Sequence, residues 1–173
     1  MADVRRNLER KYRCRDLDAV RAALVPLGTT EAEVQRQRDV FFAVSGGRLK
    51  LRTLDGVSAT LIWYDRPDAG GDRVCRYHLA PVADAEALHA VLAAACGVCG
   101  EVRKRREVRW WHNVRIHLDE VEGLGDFVEF EAVLSADADE TTSRQRLDFL
   151  TRALGLEASG EVFVSYADLL RLE

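Results

Sequence analysis

Strand-length segments of this chain alternate between charged and apolar residues. In the clearest of them, residues 48–52 (RLKLR), every second residue is a cation and the two residues between are leucines. Side chains two apart on a β-strand point to the same side, so this pattern predicts a strand with one charged face and one apolar face. A helix would scatter the same residues around its surface. The chain is therefore predicted to build mainly a sheet.

Comparable runs divide most of the chain into strands separated by short turn signals. Strands are predicted at 4–14, 37–44, 48–54, 58–66, 73–80, 100–110, 113–121 and 126–134. Most of the connections are short and contain glycine, which favours antiparallel pairing. Eight antiparallel strands can close into a barrel with room for one small ligand. The predicted fold class is α+β, an eight-stranded antiparallel β-barrel with helices packed on the outside.

Helical periodicity is confined to a few stretches. Asp16 and Asp84 are predicted N-caps, each followed by apolar residues at helical spacing, and further helices are predicted at 139–154 and 165–170. The 173 residues contain no internal repeat or long linker. A chain of this length can bury a sizeable core, so residues 1–173 are predicted to form one domain.

The charged residues on the predicted strands are sorted by sign. Asn7, Glu9 and Lys11 share a face of the first strand, and later strands place Arg48, Lys50 and Arg52, then Arg66, then Lys104 and Arg106 on one face each. The acids concentrate in Glu9 and in the last two strands, which carry Arg115, His117, Asp119, Glu129 and Glu131. Each face alone could be the solvent side of a half-buried sheet. Three like charges side by side are unusual for such a surface.

A closed barrel turns these charged faces inward. The cations there outnumber the four acids Glu9, Asp119, Glu129 and Glu131, so the interior is predicted to be short of negative charge. A bound triphosphate would supply that charge, because guanidinium groups suit phosphate oxygens. Clustered carboxylates suit a hard cation such as Mg²⁺ or Mn²⁺.

The order of these motifs resembles the CYTH superfamily, also called triphosphate tunnel metalloenzymes. The segment 7–11 (NLERK) is similar to the ExExK signature that opens the family. The segments 47–52, 61–66, 102–106, 114–119 and 123–131 follow in the family's order. The resemblance covers nearly the whole chain. It implies a barrel that forms a tunnel open at both ends.

The resemblance also implies roles for individual residues. Glu9, Glu129 and Glu131 are expected to be metal ligands, and Asp119 a second-site or water-mediated ligand. The expected phosphate-binding residues are Lys11, Arg48, Lys50, Arg52, Arg66, Lys104, Arg106 and Arg115. Glu9, Lys11, Glu129 and Glu131 are the candidate catalytic residues. The chain departs from the signature at Asn7, where an amide replaces the first glutamate and brings no charge to a metal.

The resemblance implies two candidate activities, and the departure at Asn7 suggests a third function. The first is metal-dependent hydrolysis of an inorganic or organic triphosphate. The second is a class IV-type adenylyl cyclase, which converts ATP to cyclic AMP and pyrophosphate. The third is a module that binds a phosphorylated ligand without turnover, suggested by Asn7. Trp110, Trp111 and Tyr64 could stack on a base or simply pack. His117 could transfer protons or fill the interior as a neutral group.

The remaining features bear on location and partners. The net charge of −4 argues against a nucleic-acid or anionic-membrane surface. The N-terminal region has no apolar run, so we expect neither a signal peptide nor a membrane span, and a cytoplasmic location. A homodimer is left open. Cys96 and Cys99 have the spacing of half a zinc site or a redox pair, but packing thiols are the preferred interpretation.

Overall fold

A computed structural model describes residues 5–65, 73–156 and 160–172. The strands are β1 (Arg5–Arg13), β2 (Glu33–Phe42), β3 (Arg48–Leu54), β4 (Ser58–Asp65), β5 (Arg73–Val82), β6 (Val98–Trp111), β7 (Val114–Val121) and β8 (Gly125–Val133). The helices are α1 (Leu17–Leu24), α2 (Ala85–Cys96), α3 (Glu140–Ala153) and α4 (Tyr166–Leu169), and a 3₁₀ turn (Val25–Leu27) follows α1.

The eight strands form a closed antiparallel barrel in the order β1-β5-β4-β3-β2-β6-β7-β8. The predicted fold class is confirmed. Pairing of β1 with β8 brings the two ends of the chain's strand series together, so that Glu9 lies opposite Glu131 and Lys11 opposite Glu129. These residues are more than a hundred positions apart in the chain. Barrel closure therefore creates the contact between the first charged motif and the last.

Tight turns set the register of neighbouring strands. Between β3 and β4, Asp55 and Gly56 both have positive φ, 52° and 71°, and the Val57 N–H donates to the Leu54 carbonyl at 2.9 Å. Positive φ at both central residues matches the twist of a hairpin and keeps the two strands in contact. Lys50 then lies opposite Ile62, and Arg52 lies opposite Thr60.

The helices cover parts of the outer surface. Asp16, Asp84 and Asp139 cap α1, α2 and α3, each accepting a backbone N–H at 2.8–2.9 Å. The largest apolar cluster combines residues of α1 and α3 with the outward faces of β1, β7 and β8. A second cluster places α2 against β2 and β3. Burying each large apolar side chain contributes about 1.5–3 kcal/mol, which stabilises the barrel from outside and leaves its interior free for polar groups.

The C-terminal segment closes one end of the barrel. Tyr166 and Ala167 of α4 pack against Phe41, Val102 and Phe127, whose side chains face inward at that end. The Lys11 ammonium donates to the Val164 carbonyl at 3.4 Å. The tunnel expected from the family resemblance was open at both ends. Here apolar side chains at the end of the chain fill one opening.

Two further differences concern element boundaries and cysteines. The β2 strand begins at Glu33, four residues earlier than expected, and pairs with β6 along its length. Cys96 packs in the cluster under α2, whereas Cys99 packs in the cluster around α4, so the two thiols belong to different apolar regions. This arrangement favours packing thiols over a zinc site. Within the part of the chain described, none of the helices has the length and apolar character needed to cross a membrane.

Candidate active site

The barrel encloses a cavity of about 420 Å³, and inward-facing side chains of all eight strands line it. At the closed end, Ser165 and Tyr166 form the floor. At the opposite end, Glu33, Leu54, Leu79 and Trp110 surround the opening, which we call the mouth. A cavity of this size is typical of a small-molecule site.

One wall of the cavity holds cations that are fixed by a buried aspartate. Asp39 of β2 accepts from the Lys50 ammonium at 2.8 Å and from the Arg52 guanidinium at 2.7 Å through two nitrogens. Burial alone would raise the pKa of Asp39, but the charges of Arg52 and Lys50 outweigh it and hold the pKa well below its usual range. The aspartate therefore stays ionised and holds both cations in place beside the cavity.

A second network centres on Arg106. Its guanidinium forms a two-pronged ion pair with Asp119, both contacts at 2.6 Å, and a third contact to Glu129 at 2.7 Å. The Asp119 carboxylate also accepts from the Tyr166 hydroxyl at 2.8 Å and lies 3.3 Å from the Lys104 ammonium. Burial, reinforced by the charge of Arg106, lowers the pKa of Lys104 to about 7. Lys104 can therefore gain or lose its proton near neutral pH, because burial makes its positive charge costly.

The candidate metal ligands lie on β7 and β8. Ligand atoms of His117, Glu129 and Glu131 all lie within 4.8 Å of one another. Burial lowers the pKa of His117 and the charge of Arg106 lowers it further, so the imidazole is neutral at pH 7 and can offer a lone pair. The two carboxylates suit a hard cation such as Mn²⁺ or Mg²⁺, and the imidazole adds a nitrogen donor of the kind that transition metals use. These residues fit a divalent cation, and His117 joins the expected glutamates.

Both glutamates are held as carboxylates by neighbouring cations. Burial would raise the pKa of Glu129, but the charge of Lys11 and the hydrogen bond to His117 help to bring it well below its usual range. Burial would likewise raise the pKa of Glu131, and Arg115, at 2.8 Å, outweighs that effect. An ionised carboxylate is the form that binds a metal.

The structure brings most of the predicted site residues to one cavity. Its lining includes Glu9, Lys11, Lys50, Arg52, Lys104, Arg106, Arg115, Glu129 and Glu131. Arg48 instead pairs with Asp168 of α4 at 2.9 Å, near the closed end. Asp119 is fully buried beneath the cavity, where Arg106 and Tyr166 use its oxygens. Arg66 lies outside the described residues. The roles assigned to these residues stay predictions.

Asn7, the residue that departs from the family signature, also lines the cavity. Its side chain is 2% exposed, and its Oδ1 has no hydrogen-bond partner in residues 5–65, 73–156 and 160–172. A buried acceptor without a partner is costly unless a ligand, a water molecule or an ion interacts with it. The amide oxygen is thus available to a bound group, although it adds no charge.

The aromatic residues divide between the interior and the outer surface. Trp110 lines the mouth and is 41% exposed, and Tyr64 lines the cavity deeper in the barrel. Trp111 is on the outside, where it stacks on Phe149 of α3 with ring centroids 5.1 Å apart. Trp110 and Tyr64 can therefore meet a ligand, whereas Trp111 packs.

Several site residues were missed in the sequence. Asp39, Gln37 and Gln35 all face the cavity from β2, although the sequence analysis predicts no cavity face for this strand. The signal was present, because the spacing of two places them on one side of that strand. Tyr166 had no such signal, since its place depends on how the C-terminal segment folds onto the barrel.

The hydroxyl of Tyr166 provides a test of the buried ion-pair network. Tyr166→Phe is expected to lower the free energy of unfolding by about 1.5–3 kcal/mol, because the lost hydrogen bond ends on a charged group. Tyr12→Phe is the matched control, since it loses a bond to the neutral Thr151 hydroxyl and should cost about 0.5–1.5 kcal/mol. Urea unfolding measures both. Equal losses in the two variants would show that the hydrogen bond to Asp119 stabilises the protein no more than a hydrogen bond between neutral groups.

Comparison with known proteins shows which family model and which solved structures this chain matches. A family model described as the CYTH domain matches residues 5–162. Among solved structures, the PH1012 protein of Pyrococcus horikoshii has a TM-score of 0.83 at 23% identity, covering 94% of this chain and 98% of that chain. A proposed adenylate cyclase of Vibrio parahaemolyticus has a TM-score of 0.76 at 23% identity, covering 95% and 97%.

A more distant structure shares the fold. A proposed adenylyl cyclase of Hippeastrum, described as having a dominant triphosphatase activity, has a TM-score of 0.68 at 16% identity, covering 95% of both chains. None of the curated protein sequences matches this chain significantly. At these identities the structural likeness shows the fold alone.

Proposed function

The chain belongs to the CYTH domain family, and from this premise we propose that it is a divalent-metal-dependent enzyme that hydrolyses a phosphoanhydride bond of a triphosphate inside its barrel. The observation that carries the proposal is the sorting of charge around one cavity. Lys50 and Arg52 stand on one wall, and His117, Glu129 and Glu131 stand on another. A triphosphate with its cation complements both walls.

The cations would bind and neutralise the phosphate chain. Hydrolysis needs a water molecule in line with the terminal phosphorus. As the bond from that phosphorus to the bridging oxygen breaks, the bridging oxygen leaves with the diphosphate and gains negative charge. Guanidinium groups already held in place can stabilise that charge without reorganising, and Asp39 holds Arg52 in this way. Arg115 keeps an Nε without a partner in the described residues, so it has a donor to offer to phosphate.

The acidic wall would hold the metal. Glu129, Glu131 and neutral His117 are the proposed ligands, with Glu9 nearby because it lies opposite Glu131 across the β1–β8 pairing. A bound Mg²⁺ or Mn²⁺ would neutralise phosphate charge and polarise the P–O bonds. Lys11, 3.5 Å from Glu129, keeps that carboxylate ionised in the absence of metal.

A class IV-type adenylyl cyclase is the second candidate. The similarity to a proposed adenylate cyclase favours it, as does Trp110 at the mouth, where an adenosine could stack. In that reaction the ribose 3′-hydroxyl attacks the α-phosphorus and pyrophosphate departs. Both reactions need the same neutralisation of phosphate charge. The third candidate, a binding module without turnover, is favoured by the uncharged Asn7.

One experiment distinguishes the three. The protein is incubated with inorganic triphosphate, thiamine triphosphate and ATP, each with Mg²⁺ or Mn²⁺ and each with a chelator. Metal-dependent release of orthophosphate supports the hydrolase, and cyclic AMP with pyrophosphate supports the cyclase. Saturable binding with no product supports the binding module. Turnover that is unaffected by the chelator would contradict the metal assignment. A cytoplasmic location and a homodimer stay predictions.

Asn7→Glu tests whether the departure from the family signature affects the metal. An added carboxylate beside a bound cation should contribute about 1 kcal/mol or more, even at a high effective dielectric. The Mg²⁺ or Mn²⁺ concentration for half-maximal activity should therefore fall about fivefold. Asn7→Gln, which keeps an amide and adds no charge, is the control and should bring no such fall. An unchanged metal requirement in Asn7→Glu would place this residue outside the influence of the metal.

A further inference from the structure

One buried polar atom of the cavity is explained by neither the phosphate nor the metal assignments. It is the side-chain oxygen of Gln37 on β2, a residue that is 4% exposed and lines the cavity. Within residues 5–65, 73–156 and 160–172 this Oε1 accepts no hydrogen bond. Buried polar atoms almost always have a partner, so this atom indicates a bound group that donates a hydrogen bond to it.

Two hydrogen bonds determine which atom of the Gln37 amide faces the cavity. At the mouth, the Glu33 carboxylate can only accept, so the Nε2 of Gln35 must turn towards it, and Nε2 lies 2.7 Å from the carboxylate oxygen. The oxygen of Gln35 then accepts from the Nε2 of Gln37, also at 2.7 Å. Glu33 therefore orients both amides and leaves the oxygen of Gln37 for the cavity. We call Glu33, Gln35 and Gln37 the amide ladder.

Gln37 lies on the wall of the cavity that carries the cations. Gln35, two residues before it, lies opposite Arg106 of β6. Asp39, two residues after it, lies opposite Arg52 of β3. Side chains two apart on a strand share a face, and directly opposite side chains have Cβ atoms about 4.5–5.5 Å apart. The unpartnered oxygen of Gln37 is therefore close to the guanidinium groups that are expected to hold phosphate.

Few groups can donate a hydrogen bond to Gln37 at this position. Lys104 lies opposite Gln37 on β6, but its ammonium is directed to Asp119, 3.3 Å away. The oxygens of an ionised triphosphate only accept hydrogen bonds. A metal ion could meet an amide oxygen, but the surrounding cations repel it. A water molecule can donate one hydrogen to the amide and still direct a lone pair towards a bound phosphate.

We propose that Gln37 is a catalytic residue, whose oxygen holds and orients the water molecule that attacks the terminal phosphorus. Glu33 and Gln35 are positioning residues, because they keep that oxygen turned to the cavity. Glutamine orients the attacking water in GTP-hydrolysing proteins as well. The inference rests on the proposed hydrolysis and adds the residue that positions its nucleophile.

The amide orients the water and takes no part in proton transfer. The water oxygen forms the new bond to phosphorus, and the bond from phosphorus to the bridging oxygen breaks. Its electron pair stays on the departing phosphate chain. A neutral amide only accepts a hydrogen bond, so the proton of the water passes to an oxygen of the phosphate that the water joins.

Removal of the amide oxygen tests the catalytic role. Gln37→Leu keeps the approximate size of the side chain and should lower kcat for orthophosphate release about a hundredfold, the loss expected when a reacting group is misplaced by about 1 Å. The dissociation constant for inorganic triphosphate, measured by calorimetry with Mg²⁺, should stay within about twofold, because the lost interaction is made to water and not to the substrate. An equal loss of binding would show that the amide contacts the substrate, and would overturn the inference.

Reversal of the amide ladder tests the positioning role and leaves Gln37 in place. Glu33→Lys offers a donor where Gln35 now finds an acceptor, so both amides should turn over and Gln37 should present its Nε2 to the cavity. We expect kcat to fall about tenfold, the upper end of what one neutral hydrogen bond contributes, with no weakening of triphosphate binding. Glu33→Gln still offers Gln35 an oxygen and should retain most of the activity. Glu31→Lys is the matched control, because it makes the same change of charge at an exposed residue outside the cavity lining and should leave kcat unchanged.

The inference and the proposed hydrolysis fail in different ways. If the wild-type protein releases orthophosphate and both Gln37→Leu and Glu33→Lys keep its kcat, Gln37 does not hold the attacking water, and the hydrolase assignment stands. Equal losses of kcat in Glu33→Lys and Glu31→Lys would assign the effect to charge alone, and the inference would again be wrong. If the wild-type protein turns over no triphosphate, both the hydrolase assignment and the inference are wrong.

Discussion

Replacing Glu131 with glutamine is expected to lower kcat/KM for triphosphate turnover by at least about a hundredfold at saturating Mg²⁺ or Mn²⁺. The substitution preserves the shape of the side chain and removes its charge. Loss of a residue that only supports a metal ligand already costs about 10–100-fold, and loss of a ligand should cost more. Steady-state kinetics across a metal titration measure the effect. Some loss of stability is also expected, because Arg115 loses its partner at 2.8 Å.

The control and the companion variant separate charge from position. Glu120→Gln removes a carboxylate from the outer side of the same sheet, where Glu120 is exposed and pairs with Arg105, so activity should stay within about twofold. Glu129→Gln should also abolish turnover, with a larger loss of stability because Glu129 contacts Arg106 and Lys11. Wild-type turnover in Glu131→Gln would remove this residue from the metal site.

Most of the fold could be predicted because its strands alternate. Wherever one face is apolar and the other charged, as in β3, a spacing of two identifies the strand and assigns its faces. The N-terminal half of β2 breaks this rule. Glu33 and Gln35 are polar and face the cavity, while Arg36 is exposed on the outer face, so both sides look hydrophilic. The strand was consequently predicted to begin four residues late.

The site could be predicted only in part for a related reason. Parity identifies which side of a strand a residue faces, and it correctly grouped Lys50 with Arg52 and Lys104 with Arg106. It does not determine the distance of a residue from the barrel's ends. Arg48 shares the face of Lys50 but lies near the closed end, paired with Asp168. Only the three-dimensional position of α4 separates these two cations.

The charge balance of the interior needs a correction. The sequence pattern predicts an interior short of negative charge, but Asp39, which is not among the four predicted acids, pairs with Lys50 and Arg52. Asp119 pairs with Arg106 in the same way. Buried ion pairs of this kind offset part of the desolvation cost before any ligand arrives. The internal charges of the barrel are therefore compensated without a triphosphate, although a triphosphate would add favourable contacts.

Cations that face the cavity from β3 and β6 should respond differently to truncation from cations on the outer face of β6. Lys50→Ala and Lys104→Ala are each expected to weaken triphosphate binding about tenfold or more, because a charge-assisted bond contributes about 1.5–3 kcal/mol. Arg103→Ala and Arg105→Ala remove cations from the exposed outer face of β6 and should change binding little. Calorimetry with inorganic triphosphate and Mg²⁺ measures all four.

Thermal unfolding provides a second measurement for the same variants. Triphosphate at about a hundred times its dissociation constant should stabilise the wild-type protein by about 2.7 kcal/mol, and the inward variants should show less of this gain at the same concentration. The outward variants should keep it in full, since their partners Glu101 and Glu120 lie outside the cavity. If Lys50→Ala and Arg103→Ala gave the same shift, the cavity's cations would not be in contact with phosphate. The sorting of charge would then reflect solubility and folding alone, and the proposed substrate class would have to be abandoned.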